Sequence, residues 1–231
     1  WGQSFHSNDA RGATITQDPV SLEATDTVDL LVKSEGAEVG MRYFDEQQFN
    51  FSAALWWLKL DSELLFVGDA GNTEASDASQ RYGLELSAYY WLADTLSLDA
   101  EASFTHSRLN VDSQNDRIEG AVPVVASAGV NWQFAQQWQT SLRLRHIGKR
   151  MLSDDGSKRS EPLTVVNGLV AYQQTHWKAE LELLNLFDSN DHDIDYYYSS
   201  RLAGEPTEGV EDNHFHPIEP RTVRLSMSFL F

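Results

Sequence analysis

The last eleven residues, RTVRLSMSFLF (221–231), alternate without a break. Val223, Leu225, Met227, Phe229 and Phe231 fall on one parity, behind Arg221. Thr222, Arg224, Ser226, Ser228 and Leu230 fall on the other. A period of two residues is that of a β-strand with one oily and one mostly wet face. Chain ends are usually polar and frayed, so something must cover an oily face that runs to the last residue.

The same alternation recurs upstream. Tyr82, Leu84, Leu86, Ala88, Tyr90 and Leu92 oppose Gly83, Glu85, Ser87, Tyr89 and Trp91. Leu96, Leu98, Ala100, Ala102 and Phe104 oppose Ser97, Asp99, Glu101, Ser103 and Thr105. Similar segments span 122–134, 138–149 and 177–187; a less regular β-branched one spans 163–172. In 54–66 the pattern sets Trp56, Leu58, Leu60, Leu64 and Phe66 against Lys59, Asp61 and Glu63. With 37–44 and 1–7 the count is about ten, each near the ~9–11 residues of a tilted membrane strand. No helix-period run with caps is present.

Connections alternate in length. Short ones fall near 45–48, 93–94, 135–137 and 173–175; long polar ones occupy 8–33, 68–80, 110–120, 152–161 and 188–218. Short turns at one rim and long loops at the other are the layout of an outer-membrane barrel. Aromatics cluster at the short turns: Tyr43, Phe44, Phe49 and Phe51; Tyr89, Tyr90 and Trp91; Trp132, Phe134 and Trp138; Tyr172 and Trp177; Phe229 and Phe231. That is the signature of an interfacial girdle. The competing reading is a soluble sandwich with aromatic strand ends.

Lys59, Asp61, Glu63, Glu85, Asp99, Glu101, Arg143, Arg145, Lys178, Glu180, Glu182 and Arg224 are assigned to the parity opposite the apolar one. Unpaired, they cannot be buried in a core. If the apolar face looks out to lipid, they line a wet lumen. The expected fold is therefore all-β, an antiparallel up-and-down transmembrane β-barrel of about ten strands.

Composition agrees. The 231 residues hold no cysteine, which rules out disulfides and thiolate sites. The net charge of −18, from 35 acids against 17 bases, argues against a nucleic-acid partner. No stretch approaches ~18 apolar residues, so no membrane helix is expected. A mean hydropathy of −0.42 conceals membrane strands, because every second residue faces water. The chain starts at Trp1 without a signal-like run, and is expected to be a mature product or an excised piece.

Four segments resemble TonB-dependent outer-membrane receptors: EPRTVRLSMSFLF (219–231) their closing strand, ELELLNLFD (180–188) their penultimate strand, SEGAEVGMRY (34–43) a recurrent strand opening, and FHSNDARG (5–12) a segment entering an outer loop. The resemblance covers the whole of 1–231 as the C-terminal part of such a receptor's barrel. It implies a larger barrel filled by a plug domain that lies outside this sequence, a partner TonB complex that acts through that missing part, and uptake of a scarce solute across the outer membrane of a Gram-negative bacterium. It also implies that the barrel-assembly machinery reads the terminal strand, at Met227, Phe229 and Phe231. Outer-membrane lipid and lipopolysaccharide are the expected surroundings. The alternatives are a self-contained small barrel acting as passive channel or adhesin, and a soluble ligand-binding β-protein.

Loop 188–218 is rich in potential ligands. Asp191, His192, Asp193, Tyr196, Tyr197, His214 and His216 are its candidate ligand-binding residues, and His192, His214 and His216 its candidate metal ligands. The solute would be a divalent metal or metal chelate, with no resident cofactor expected. The bland reading is a solvated acidic loop, bridged to lipopolysaccharide through divalent ions. Catalysis is not expected: no Gly-x-Ser-x-Gly elbow occurs, and strand parity already accounts for Asp99 and Glu101 as lumen charge. Gly68, Gly71 and Gly83 read as loop and bulge glycines.

Overall fold

The computed structural model describes residues 1–17, 24, 27–45, 48–67, 72–75, 77–112 and 114–229. Its strands are Gly2–Ser7 (β1), Leu31–Asp45 (β2), Phe49–Leu60 (β3), Leu64–Val67 (β4), Asn72–Ala75 (β5), Ser79–Ala93 (β6), Leu96–Leu109 (β7), Val124–Ala135 (β8), Trp138–Ile147 (β9), Leu163–Gln173 (β10), Trp177–Leu184 (β11), His192–Ser200 (β12), Val210–Pro217 (β13) and Thr222–Phe229 (β14). One short helix, Ala10–Ala13, follows β1. Ten strands form one antiparallel meander in the order β1-β2-β3-β6-β7-β8-β9-β10-β11-β14. The outer strands β1 and β14 each have one neighbour, so the sheet is an open arc of barrel wall. The hairpins β4–β5 and β12–β13 are separate two-stranded sheets inside long loops.

Register sorts the side chains. One row across the sheet joins Arg42, Ser52, Ser87, Glu101, Ser127 and Arg145. The adjacent row joins Tyr43, Phe51, Ala88, Ala100, Ala128 and Leu144 on the opposite face. The first face is polar and the second apolar. Among the described residues only seven hydrophobic side chains are buried, while thirty-one large ones are exposed, including Leu225 at 70% and Met227 at 57%. The surface area of 15302 Å² far exceeds the about 10,600 Å² of a soluble monomer of this mass. A sheet this oily on one side has no cover for that face among the described residues. No helix among the described residues is long and apolar enough to cross a membrane.

The aromatic girdle lies on the apolar face in two clusters of rings. Trp132–Phe134, Phe134–Trp138, Trp138–Tyr172 and Tyr172–Trp177 have ring centroids 5.5, 6.1, 4.8 and 5.3 Å apart. Tyr43, Phe51 and Tyr90 extend it around Phe49. Phe44, Tyr89 and Trp91 do not belong to it: they pair across strands with Asn50, Asp99 and Ser97 on the polar face.

The reading of 54–66 needs two corrections, and that of Gly83 a third. The wall strand ends at Leu60, and Leu64 belongs to the small β4–β5 hairpin, as does Phe66 by its backbone. The faces are also inverted. Trp56 and Leu58 pair with Gly83 and Arg81 on the polar side, whereas Leu55, Trp57 and Lys59 share the outer face. The run LWWLKL is apolar on both parities, so its own pattern cannot choose, and a one-residue slip exchanges the faces. The neighbouring strands decide. Finally, Gly83 is no loop or bulge glycine: a Cβ there would lie 2.7 Å from the Trp56 ring and 2.5 Å from the Phe104 carbonyl oxygen. It is a seat for Trp56. Gly68, Gly71 and Phe231 lie outside the described residues.

Candidate functional site

The motif Asn185-Leu186-Phe187-Asp188 ends β11 and builds the base of the last outer loop. Asn185 (φ 47°) and Asp188 (φ 56°) are both left-handed, a conformation that Asn and Asp tolerate better than other non-glycine residues. Asn185 is 4% exposed. Its backbone N donates to Asn167 Oδ1 at 2.9 Å, and its Nδ2 donates to the carbonyls of Ser189 (2.9 Å) and Glu219 (3.1 Å). Asp188 Oδ1 accepts the Arg221 N–H at 2.9 Å. The motif thus buckles the outgoing and returning legs of the loop together.

Above this buckle stand β12 and β13. Cross-strand pairing puts Asp195, Tyr197, Asn213 and Phe215 on one face, and Tyr196, Tyr198, His214 and His216 on the other. The first face packs toward the 148–162 loop. Arg150 Nη2 contacts Asp195 Oδ2 at 2.7 Å, and Nη1 donates to the Asp193 carbonyl at 3.1 Å. The Asp195 side chain is 5% exposed, so the guanidinium is the counter-charge a buried carboxylate needs. Its other oxygen takes His192 Nδ1 at 3.0 Å. The His192 ring stacks on Phe215 with centroids 3.7 Å apart, and Lys158 Nζ lies 4.7 Å over the Tyr197 ring. Asp191 Oδ2 accepts the Thr164 N–H at 3.0 Å and fixes the hairpin to β10.

On the second face, Tyr198 and His214 stack at 3.7 Å. His214 Nε2 reaches Ser200 Oγ at 2.7 Å, and its Nδ1 is buried without a partner. His216 Nδ1 meets Asp193 Oδ1 at 2.8 Å. The three histidines therefore lie apart, each with its own partner. No group of three or more metal-ligating side chains converges among the described residues. Asp191 and His192 hold the hairpin in place, whereas Asp193, Tyr196, Tyr197, His214 and His216 form its surface. Sequence reasoning missed Arg150 and Lys158, because an isolated loop cation carries no pattern until the hairpin is folded against it.

The neighbouring 153–158 turn is closed by Asp155, whose carboxylate accepts from Ser153 Oγ (2.6 Å) and the Ser157 N–H (2.9 Å). These bonds, the Ser153 hydroxyl first, hold its pKa below the ordinary value.

The polar face of the wall forms a second candidate surface. A trough of about 700 Å³ crosses five adjacent strands, from β2 to β8. Glu38, Arg42, Glu85 and Glu101 edge it over a floor of small residues, including Ser52 and Ser87, whose hydroxyls are 2.7 Å apart. Glu101 accepts the Tyr89 hydroxyl at 2.6 Å. One row further on, Arg143 grips Asp99 with two bonds of 2.9 Å. Gly129 lies between them, and a Cβ there would sit 2.6 Å from Arg143 Nη2. Trp56 Nε1 is buried with no acceptor. This arrangement can bind and hold polar groups: Asp99 and Arg143 are spent on one another and Glu101 is engaged by Tyr89, whereas Glu38 and Glu85 stay open.

A family model described as TonB dependent receptor-like, beta-barrel matches residues 10–186. No curated protein matches. Among solved structures, the siderophore receptor PiuA from Acinetobacter baumannii superposes with a TM-score of 0.72 at 13% identity, covering 98% of this chain and 32% of that one. The ferric-catecholate import receptor Fiu from E. coli K12 gives 0.70 at 16%, over 97% and 31%. The copper transporter OprC gives 0.64 at 19%, over 87% and 32%. At such identities the likeness is one of fold, and this chain spans about a third of each of these structures.

Proposed function

Because this chain belongs to the TonB-dependent receptor-like β-barrel family, we propose that it builds part of the wall of an outer-membrane receptor that takes up a scarce solute. The observation that carries this reading is the pairing of two asymmetries. The sheet has an apolar face with an aromatic girdle, and its short turns and long loops are sorted to opposite rims. Lipid and lipopolysaccharide cover the first face, and the long loops meet the outside medium.

The polar face seats a plug domain. Glu38 and Glu85 have no partner among the described residues, and the orphaned Trp56 Nε1 needs an acceptor. A buried donor left unpaired costs about 1–3 kcal/mol, which a carbonyl of a plug would relieve, while basic side chains of the plug would pair the two carboxylates. A TonB complex pulls on that plug. The barrel-assembly machinery engages the C-terminal residues Met227, Phe229 and Phe231.

The cargo is a metal or metal chelate, met by the β12–β13 hairpin through Asp193, Tyr196, Tyr197, His214 and His216. The solved relatives include a siderophore receptor, a ferric-catecholate import receptor and a copper transporter. With the histidines apart, a whole chelate fits the hairpin better than a bare ion. The test is uptake of radioactive iron, supplied as catecholate and citrate chelates, by cells carrying the full receptor. Uptake that collapses with the inner-membrane proton gradient and with Tyr196→Ala/His214→Ala is expected. A receptor absent from the outer-membrane fraction, or uptake indifferent to energisation, contradicts the reading.

A further inference from the structure

Among the described residues the β12–β13 hairpin pairs with no wall strand, and a two-stranded hairpin alone in water is marginally stable at best. Above the Asn185 buckle and the Asp191–Thr164 bond, its brace is Arg150. The backbone of Arg150 is pinned from both sides: its N–H donates to Ser160 Oγ at 2.9 Å, and its carbonyl accepts the Ser160 N–H at 3.0 Å. The surrounding loop is anchored in turn. The Gly120 N–H donates to the Met151 carbonyl at 2.9 Å and the Arg117 N–H to the Asp154 carbonyl at 3.0 Å. Ile118 and Leu152 are buried beside these bonds.

The guanidinium reaches an irregularity in the hairpin. The register shifts between His192 and Ile194, which leaves Asp193 out of the ladder. A bulged residue is free to turn its groups elsewhere. The Asp193 carbonyl accepts from Arg150 Nη1 at 3.1 Å, and its carboxylate meets His216 Nδ1 at 2.8 Å. Two residues on, Asp195 meets Arg150 Nη2 with one oxygen and His192 Nδ1 with the other. One guanidinium thus stands behind two of the hairpin's three histidines. Through Asp193 it sets His216 on the face shared with Tyr196, Tyr198 and His214. Through Asp195 it sets His192 against Phe215. The Arg150 side chain is mostly buried, with its Nε withdrawn from water, so this is a fixed fork and not a passing surface ion pair.

Building on the uptake reading, we propose that Arg150 is a positioning residue that holds the β12–β13 hairpin in its ligand-meeting pose before any ligand arrives. The chelate then meets a preformed surface. A hairpin that the ligand itself had to order would lower the apparent affinity by the fraction of time it stands ready, and bracing it beforehand removes that loss.

Hydrogen exchange of the full receptor in phospholipid vesicles, with and without ferric catecholate or ferric citrate, tests this alongside titration of chelate affinity. Wild-type amides of 192–217 should be equally protected in both states. Arg150→Ala should speed their exchange about tenfold without chelate and weaken chelate binding about tenfold, as expected of a hairpin that stands ready about a tenth of the time. Amides of β6 to β9 should keep their protection in the same variant. Arg150→Lys keeps the charge but replaces the fork with a single nitrogen, and should recover part of both losses. Exchange in 192–217 that Arg150→Ala leaves unchanged, or wild-type protection that appears only with chelate, overturns the proposal. A loosened hairpin that still binds chelate at wild-type affinity overturns it too. If Arg150→Ala loosens the hairpin of a receptor that binds neither chelate, the bracing stands and the uptake reading alone falls.

Discussion

Moving one positive charge by one residue along β9 should turn a tolerated side chain into a costly one. Arg143 and Arg145 lie on the polar face, while Leu144 between them lies outward in register with Ala128 and Val166, 38% exposed. Leu144 is six residues beyond the girdle residue Trp138, about 20 Å along the strand. With a tilt of about 45° that is roughly 14 Å into a hydrocarbon layer about 30 Å thick, close to its midplane. Arginine there costs about 2–4 kcal/mol, roughly a 30- to 700-fold shift in the folding equilibrium. The control is Ser141→Arg, on the polar face beside Asn131 and Leu169, where about 0.5 kcal/mol or less is expected. Urea titration of the full receptor in phospholipid vesicles, followed by tryptophan fluorescence, reads both. The reasoning fails if Leu144→Arg is neutral and Ser141→Arg loses 2 kcal/mol or more.

Gly83→Ala should cost about 1–3 kcal/mol by overpacking, since the new methyl meets Trp56 and a backbone oxygen; the urea midpoint measures it, and an unchanged midpoint would remove Gly83 as the seat of Trp56. Gly129→Ala meets only the movable ends of Asp99 and Arg143, so a loss of under about 1 kcal/mol is expected, and none in an Arg143→Ala background. Asp195→Ala leaves the Arg150 guanidinium without its buried partner; hydrogen exchange should quicken in 192–217 while amides of β6 to β9 keep their protection. Asp155 has a lowered pKa, so its contribution to the 153–158 turn is fully present above the ordinary carboxylate value of 3.8 and is lost as pH falls through its own lower value. The Ser157 amide signal should hold steady from neutral pH down to about 4 and move only below it.

Strand positions were legible wherever polar and apolar residues truly alternate. In β7, β9, β11 and β14, and in β6 as far as Tyr90, every apolar residue assigned outward by parity faces outward by register; Leu92 falls at a register shift. The pattern failed at β3, where Leu55, Trp56, Trp57 and Leu58 offer no contrast. It also over-counted the girdle, because adjacency in sequence puts Phe44, Tyr89 and Trp91 on the wrong side of the sheet. The loops were the least legible. Proximity of His192, His214 and His216 in sequence suggested convergence, yet hairpin pairing places His192 against Phe215 and His214 against Tyr198. Long-range partners such as Arg150 are set by docking, which leaves no local periodicity to read.

Adjacent residues Trp56 and Trp57 give the most direct test of which side of the wall meets lipid. Two variants of the full receptor, each keeping one of them as sole tryptophan, are placed in vesicles whose acyl chains carry bromine near the headgroup. Strong quenching of Trp57 with Trp56 unaffected is the result expected of an apolar face in hydrocarbon and a polar face in water. Quenching of Trp56 with Trp57 untouched would mean that the sheet is turned the other way.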